Sequence, residues 1–121
     1  MSPVNNADEP ALRLRAEQRF AAGIRVVSLH GEIDHNAKSL LHEALGVHEP
    51  RPARIVADLS EVTFLDSSGI TVLIAAQQQI SEAGGWLRIA AAQESVREVL
   101  HLVTVDTVID CYPTLEQALA G

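Results

Sequence analysis

The run Asp66-Ser67-Ser68-Gly69 is the part of the sequence best suited to chemistry. It stands between a strand-like segment, residues 62–65, and a long helix-compatible segment that begins at Ile70. The first N–H groups of a helix lack partners within the helix, and the helix dipole favours negative charge there. A serine at that end exposes its hydroxyl, and a phosphate on it would add about −1.5 to −2 charges. Ser67 is therefore a candidate phosphorylation site.

The same four residues also fit a purely structural role, in which Asp66 or Ser67 caps the helix. Gly69 is a further observation, because glycine within a helix costs about 1 kcal/mol relative to alanine and often marks a close approach. A hydrolase nucleophile elbow needs glycine two residues before the serine, and Leu65 stands there. These residues alone leave capping and phosphorylation open, and they argue against a catalytic serine.

Other kinds of site have no motif to support them. His35 and His42 are seven residues apart and could share a helix face, whereas His30, His48 and His101 are dispersed. The five histidines form no metal-binding motif, and no glycine-rich nucleotide-binding motif is present. We therefore expect a protein that is not an enzyme and that has no catalytic residue, metal or cofactor. Asp34, at the end of Gly31-Glu32-Ile33-Asp34, is either a turn residue or part of the same surface as Ser67.

Composition narrows the class of protein further. The 121 residues carry a net charge of −7 with only nine scattered Lys and Arg, whereas nucleic-acid binding needs a basic surface. No apolar run approaches the roughly 20 residues of a membrane helix, and the N-terminus lacks the pattern of a signal peptide. One cysteine, Cys111, precludes an intramolecular disulfide and fits a reducing compartment. We expect a cytoplasmic protein that neither binds nucleic acid directly nor inserts into a membrane.

The hydropathy pattern predicts one α/β domain over residues 11–121, preceded by a flexible tail at residues 1–10. Strands are predicted at residues 11–19, 24–29, 54–59, 86–90 and 105–109, the first two joined by a turn at Ala22-Gly23. Helices are predicted after the second and each later strand, with N-terminal caps at Asn36, Ser95-Glu98 and Thr114-Gln117. The order β-β-α-β-α-β-α-β-α indicates a mixed, largely parallel sheet.

Two segments together resemble the STAS domain, named for sulfate transporters and anti-sigma factor antagonists. Leu29-His30-Gly31-Glu32-Ile33-Asp34 resembles the family's L-x-G-E-[LI]-D motif. Val62-Thr63-Phe64-Leu65-Asp66-Ser67-Ser68-Gly69 resembles its V-x-F-[ML]-D-S-[ST]-G signature. The resemblance covers about residues 10–120 and implies a mixed sheet of four or five strands with helices packed mainly on one face.

Free-standing bacterial members of this family are anti-sigma factor antagonists that act by partner switching. The resemblance implies that the unphosphorylated chain binds an anti-sigma factor, which is also a serine kinase, and thereby releases the sigma factor. It further implies that phosphorylation of Ser67 abolishes this binding and that a PP2C-type phosphatase reverses it. The partner-binding residues implied are Asp34, Asp66, Ser67, Ser68 and Gly69.

One departure from the family pattern bears on which partner is bound. Many members continue the signature with Leu-Gly, where this chain has Ile70-Thr71. STAS domains also serve as structural or regulatory subunits of membrane transporter complexes. In such a subunit, Ser67 would only cap a helix within a docking surface.

Overall fold

The computed structural model describes residues 13–46 and 53–121. The elements are β1 (Leu14–Ala21), β2 (Ile24–Ile33), α1 (Lys38–Ala44), β3 (Arg54–Leu65), α2 (Ser67–Glu82), β4 (Trp86–Ala90), α3 (Glu94–Leu102), β5 (Asp110–Tyr112) and α4 (Leu115–Ala120). Short 3₁₀ turns at His35–Ala37 and Val105–Thr107 precede α1 and β5. The predicted order of strands and helices is confirmed, whereas the tail predicted at residues 1–10 lies outside the described residues.

The five strands form one sheet in the order β1-β2-β3-β4-β5. β1 pairs with β2 in an antiparallel hairpin, and the other neighbours are parallel. Parallel neighbours need a crossover connection, which α1, α2 and α3 provide in turn. The mixed five-stranded sheet confirms the predicted fold class.

Three of the four helices cover one face of the sheet. The larger hydrophobic cluster joins residues of α1, α2 and α3, such as Leu41, Leu73 and Leu100, to one side of the strands. A smaller cluster places Ala118 of α4 against Val56 on the opposite side. Helices are therefore packed mainly on one face, as predicted. No helix in the described part of the chain is long and apolar enough to cross a membrane.

A buried arginine in the hairpin forms hydrogen bonds to the C-terminal end of α1. Arg25 on β2 is only 3% exposed, and its guanidinium donates to the carbonyl oxygens of Ala44, at 2.9 Å, and of Gly46. The last carbonyls of a helix lack partners within it, and the helix dipole favours a cation there. Arg25 therefore fixes the C-terminal end of α1 over the sheet.

β2 and β3 are longer than the sequence pattern predicted. β3 continues from Arg54 through the polar residues 60–61 to Leu65 as one strand. The register of β3 against β2 shifts twice. The first shift lies between the pairs Ser28–Asp58 and His30–Glu61, and the second lies between the pairs Gly31–Val62 and Glu32–Phe64. Each shift places one extra residue in β3, which is a β-bulge. With these bulges, β3 continues as one strand across residues 60–61, where the alternation of apolar and polar residues is interrupted.

The strand predicted at residues 105–109 is wrong. Thr104 has a φ of 57°, in the left-handed region, and Val105–Thr107 form a 3₁₀ turn. The Ile109 N–H donates to the Val105 carbonyl at 2.8 Å, so these two buried residues are spaced as in a helical turn. The last strand comes later, where Asp110 to Tyr112 pair with β4.

Of the three predicted caps, one is confirmed. Thr114 Oγ1 accepts from the Gln117 N–H at 3.1 Å and caps α4. Asn36 is not the cap before α1, because Asp34 caps the preceding turn. Ser95 lies inside α3, whose N-terminal cap position is Gln93 without a side-chain hydrogen bond, so the predicted Ser95-Glu98 box is wrong.

Candidate functional site

Two loops meet where β2 and β3 end. Ile33 and Leu65 are paired at the last positions of these parallel strands, so the residues that follow each of them are neighbours. The Asp66 N–H donates to the Ile33 carbonyl at 3.1 Å and joins the loops directly. The loop that holds Asp34 and the corner that holds Ser67 therefore lie side by side, which the sequence had left open.

Asp66 caps α2. Its Oδ1 accepts from the N–H of Ser68 at 2.9 Å and from that of Gly69 at 3.3 Å. Its backbone is extended, and its carbonyl accepts from the Ile70 N–H at 3.1 Å. These are the bonds of an N-terminal capping residue. The sequence left open whether Asp66 or Ser67 is the cap, and the structure assigns that role to Asp66.

Ser67 is the first residue of α2 and is exposed to solvent. Since the Asp66 carboxylate accepts from the Ser68 and Gly69 N–H groups, the Ser67 hydroxyl is not needed as their cap. Thr71, also exposed, lies one turn further along, and its Oγ1 donates to the Ser67 carbonyl at 3.0 Å. The arrangement presents a serine hydroxyl on the surface at a fixed backbone position.

Ser68 and His35 form a second connection between the loops. Ser68 is half-buried, and its Oγ lies 3.5 Å from Nδ1 of the exposed His35. In the same loop, Asp34 Oδ1 accepts from the Asn36 N–H at 3.0 Å. The sequence interpretation treated His35 as a surface histidine and missed this contact. No local pattern reports a contact between residues that are 33 positions apart.

Gly69 allows α2 to pack closely on the strand ends. A Cβ on this buried residue would overlap Cγ2 of Ile33 and lie 2.7 Å from Cδ1 of Leu65. Real Cβ atoms do not approach heavy atoms so closely, so the glycine is required by packing. The close approach inferred from its place in the helix is confirmed.

The surface around the corner is acidic with one apolar side chain. Asp34 and Asp66 are partly exposed, and Glu32 is paired with Arg13 at 3.2 Å. Phe64 is 46% exposed and pairs with Glu32 across the second bulge. The sequence interpretation did not single out Phe64 as a surface residue, because the bulge changes the side to which it points.

Residues 15–118 match the model of the family described as the STAS domain. The chain belongs to the STAS domain family. The STAS domain is 35% identical over 100 residues to the anti-sigma-F factor antagonist RsfB of Mycobacterium tuberculosis, and this match covers 82% of the chain and 81% of the relative.

Solved structures agree with this family. The STAS domain superimposes on the crystal structure of an anti-sigma factor antagonist from Mycobacterium paratuberculosis with a TM-score of 0.80 and 33% identity, covering 88% and 92% of the two chains. The Bacillus cell fate determinant SpoIIAA in its phosphorylated form gives a TM-score of 0.63 at 18% identity, covering 88% and 97%. At that identity the SpoIIAA likeness shows the shared fold alone.

Proposed function

We propose that this STAS domain is an anti-sigma factor antagonist that acts by partner switching. The unphosphorylated form binds an anti-sigma factor and so releases a sigma factor, and a phosphate on Ser67 abolishes that binding. The observation that carries the proposal is the exposed Ser67 hydroxyl on the first residue of α2, beside an aspartate that already caps the helix. The matched relatives named anti-sigma factor antagonists, aligned over four-fifths or more of both chains, support it.

The physical basis of the switch is the charge of the phosphate. A partner surface that closes over Ser67 removes water from the corner, and an unpaired dianion there costs several kcal/mol. Every 1.4 kcal/mol corresponds to a tenfold change in affinity. The fold tolerates the modification because Ser67 is exposed and its hydroxyl caps nothing.

The proposed partners are those that the resemblance to the STAS domain implies. The anti-sigma factor is itself the serine kinase that transfers phosphate from ATP to Ser67, and a PP2C-type phosphatase removes it. The proposed partner-binding residues are Asp34, Asp66, Ser67, Ser68 and Gly69. Asp66 also caps α2, and Gly69 also allows α2 to pack closely on the strand ends. The switch occupies one domain, residues 11–121, and operates in the cytoplasm, where its partners control transcription without nucleic-acid binding by this chain.

The experiment is a phosphorylation assay with the candidate anti-sigma kinases of the same genome and ATP, followed by mass-spectrometric mapping. The adjacent Ser68 supplies a matched control. We expect one phosphate on Ser67 in the wild type and in Ser68→Ala, and none in Ser67→Ala. Phosphate on Ser68, or undiminished phosphorylation of Ser67→Ala, would contradict the assignment. Capture of a transporter ATPase subunit and no kinase would point to the alternative role in a membrane transporter complex.

A further inference from the structure

A phosphate on Ser67 would find three of the first four backbone donors of α2 already occupied, and among the described residues only the Ser67 N–H is left to it. Helix N-termini bind phosphate through their first N–H groups. Here the Ser68 and Gly69 N–H groups donate to the Asp66 carboxylate, at 2.9 and 3.3 Å, and the Ile70 N–H donates to the Asp66 carbonyl. The Asp66 carboxylate also repels a dianion. Since α2 contains no basic residue, a positively charged side chain that contacts the phosphate has to come from outside this helix.

His35 is the side chain positioned to be that partner. Its Nδ1 lies 3.5 Å from Ser68 Oγ, and Ser68 is the immediate neighbour of Ser67, with Cα atoms about 3.8 Å apart. His35 is exposed, so its ring can turn without disturbing the core. Among residues 13–46 and 53–121, no lysine or arginine forms a hydrogen bond or ion pair with residues 66–69.

We propose that His35 is a phosphate-contacting residue of the switch. When Ser67 carries a phosphate, the His35 imidazolium leaves the Ser68 hydroxyl and donates a charge-assisted hydrogen bond to a phosphate oxygen. The contact depends on the proposed phosphorylation of Ser67 and adds to it a pH-sensitive element. Histidine changes its charge close to neutral pH, so the two charges stabilise each other at lower pH and the pairing is lost as His35 deprotonates.

The other charged groups at this corner are the same in both forms of the protein. The elements that adjoin the 3₁₀ turn contribute Glu32 from β2, Lys38 from α1 and Asp66 before α2, and Asp34 caps the turn itself. Phosphorylation changes none of them. A difference between the His35 titrations of the two forms therefore reports the phosphate.

The test compares the unphosphorylated protein with protein carrying phosphoserine incorporated directly at position 67. The ring resonances of the histidines are followed by NMR across pH. We expect the midpoint of the His35 titration to rise by about one pH unit in the phosphorylated form, because an opposite charge favours the protonated ring. His42, exposed on α1, is the internal control and should hold its midpoint.

A second measurement follows the phosphate itself by ³¹P NMR. In His35→Asn the phosphate should titrate at higher pH than in the wild type, because the cation that favours its dianion is gone, whereas His42→Asn should match the wild type. Equal shifts of His35 and His42, or a ³¹P titration unchanged in His35→Asn, would overturn the proposal. Since phosphoserine is incorporated without a kinase, failure here leaves the phosphorylation assay unaffected, and the reverse also holds.

Discussion

At the start of α2, Asp66 caps the helix and Ser67 presents an exposed hydroxyl. A single residue often performs both roles at the start of a helix. The Asp66 carboxylate accepts from the Ser68 and Gly69 N–H groups at the start of α2, while Ser67 is exposed on the first turn. A group added to Ser67 therefore does not remove the cap. Under the proposed switch, the phosphate on Ser67 would therefore leave the hydrogen bonds of the Asp66 cap in place.

Substitution of Gly69 tests how closely α2 packs against Ile33 and Leu65 at the ends of β2 and β3. Gly69→Ala should lower the free energy of unfolding by about 1–3 kcal/mol, because the added methyl overlaps Ile33 and Leu65 and overpacking outweighs the gain in helix propensity. Urea unfolding measures the change. The control is Gln78→Ala at an exposed position of the same helix, where we expect a change within about 0.5 kcal/mol. A Gly69→Ala protein as stable as the wild type would show that the corner is loosely packed.

Cys111 should be an unreactive thiol although its residue is exposed. Its Sγ donates to the Ile109 carbonyl, and partial burial, with the carboxylates of Asp106 and Asp110 adding to it, raises the pKa of the thiol to about 11. The thiolate is the reactive form, so at pH 8 the folded protein should be alkylated by iodoacetamide about a hundredfold more slowly than the urea-unfolded protein. The rate should climb as pH approaches 11. Equal rates for the two states at pH 8 would contradict the raised pKa.

At the scale of elements, the pairing of β2 with β3 creates the site. From Ser28 to Ile33 the chain advances five residues, while β3 advances seven from Asp58 to Leu65, and the two bulges absorb the difference. The strands therefore end level, and the loops after them come into contact. The motifs predicted that both loops belong to the partner-binding surface. They did not predict the bulges, because bulges depend on cross-strand pairing rather than on local sequence.

Arg25 tests how α1 is held. Arg25→Met should lower the free energy of unfolding by about 2–4 kcal/mol, because it leaves the carbonyls of Ala44 and Gly46 without their buried donor. Thermal or urea unfolding checks this. Arg19→Met, at an exposed position in the same hairpin, is the matched control and should change stability by less than about 0.5 kcal/mol. Similar stabilities for the two variants would show that Arg25 does not anchor α1.

The errors of the sequence interpretation occur where non-local contacts override local preference. Val105 and Ile109 are β-branched and suggested a strand, yet they are buried four residues apart across a helical turn. Ser95-Glu98 has the composition of a capping box, but α3 begins one residue earlier, at Glu94. Thr114 caps α4 as its sequence predicts, because that bond needs only four consecutive residues.

At the scale of the whole molecule, the proposed partner surface lies at one end of the sheet, where β2 and β3 finish. The hydrophobic core beneath it joins three helices to the sheet, and α4 closes the opposite face. The hydropathy pattern and the two motifs that resemble the STAS domain were sufficient to predict this architecture. They could not reveal the His35–Ser68 contact or the exposure of Phe64, which depend on how distant segments meet.

The central claim is tested most directly by measuring the affinity of the anti-sigma partner for the two charge states of this protein. Isothermal titration calorimetry would compare the unphosphorylated chain with the chain carrying phosphoserine at position 67. We predict that the phosphate weakens binding by about thirtyfold to several thousandfold, since closing a dianion into an interface that offers it no cation beyond His35 costs about 2–5 kcal/mol. Equal affinities for the two forms would contradict the switch.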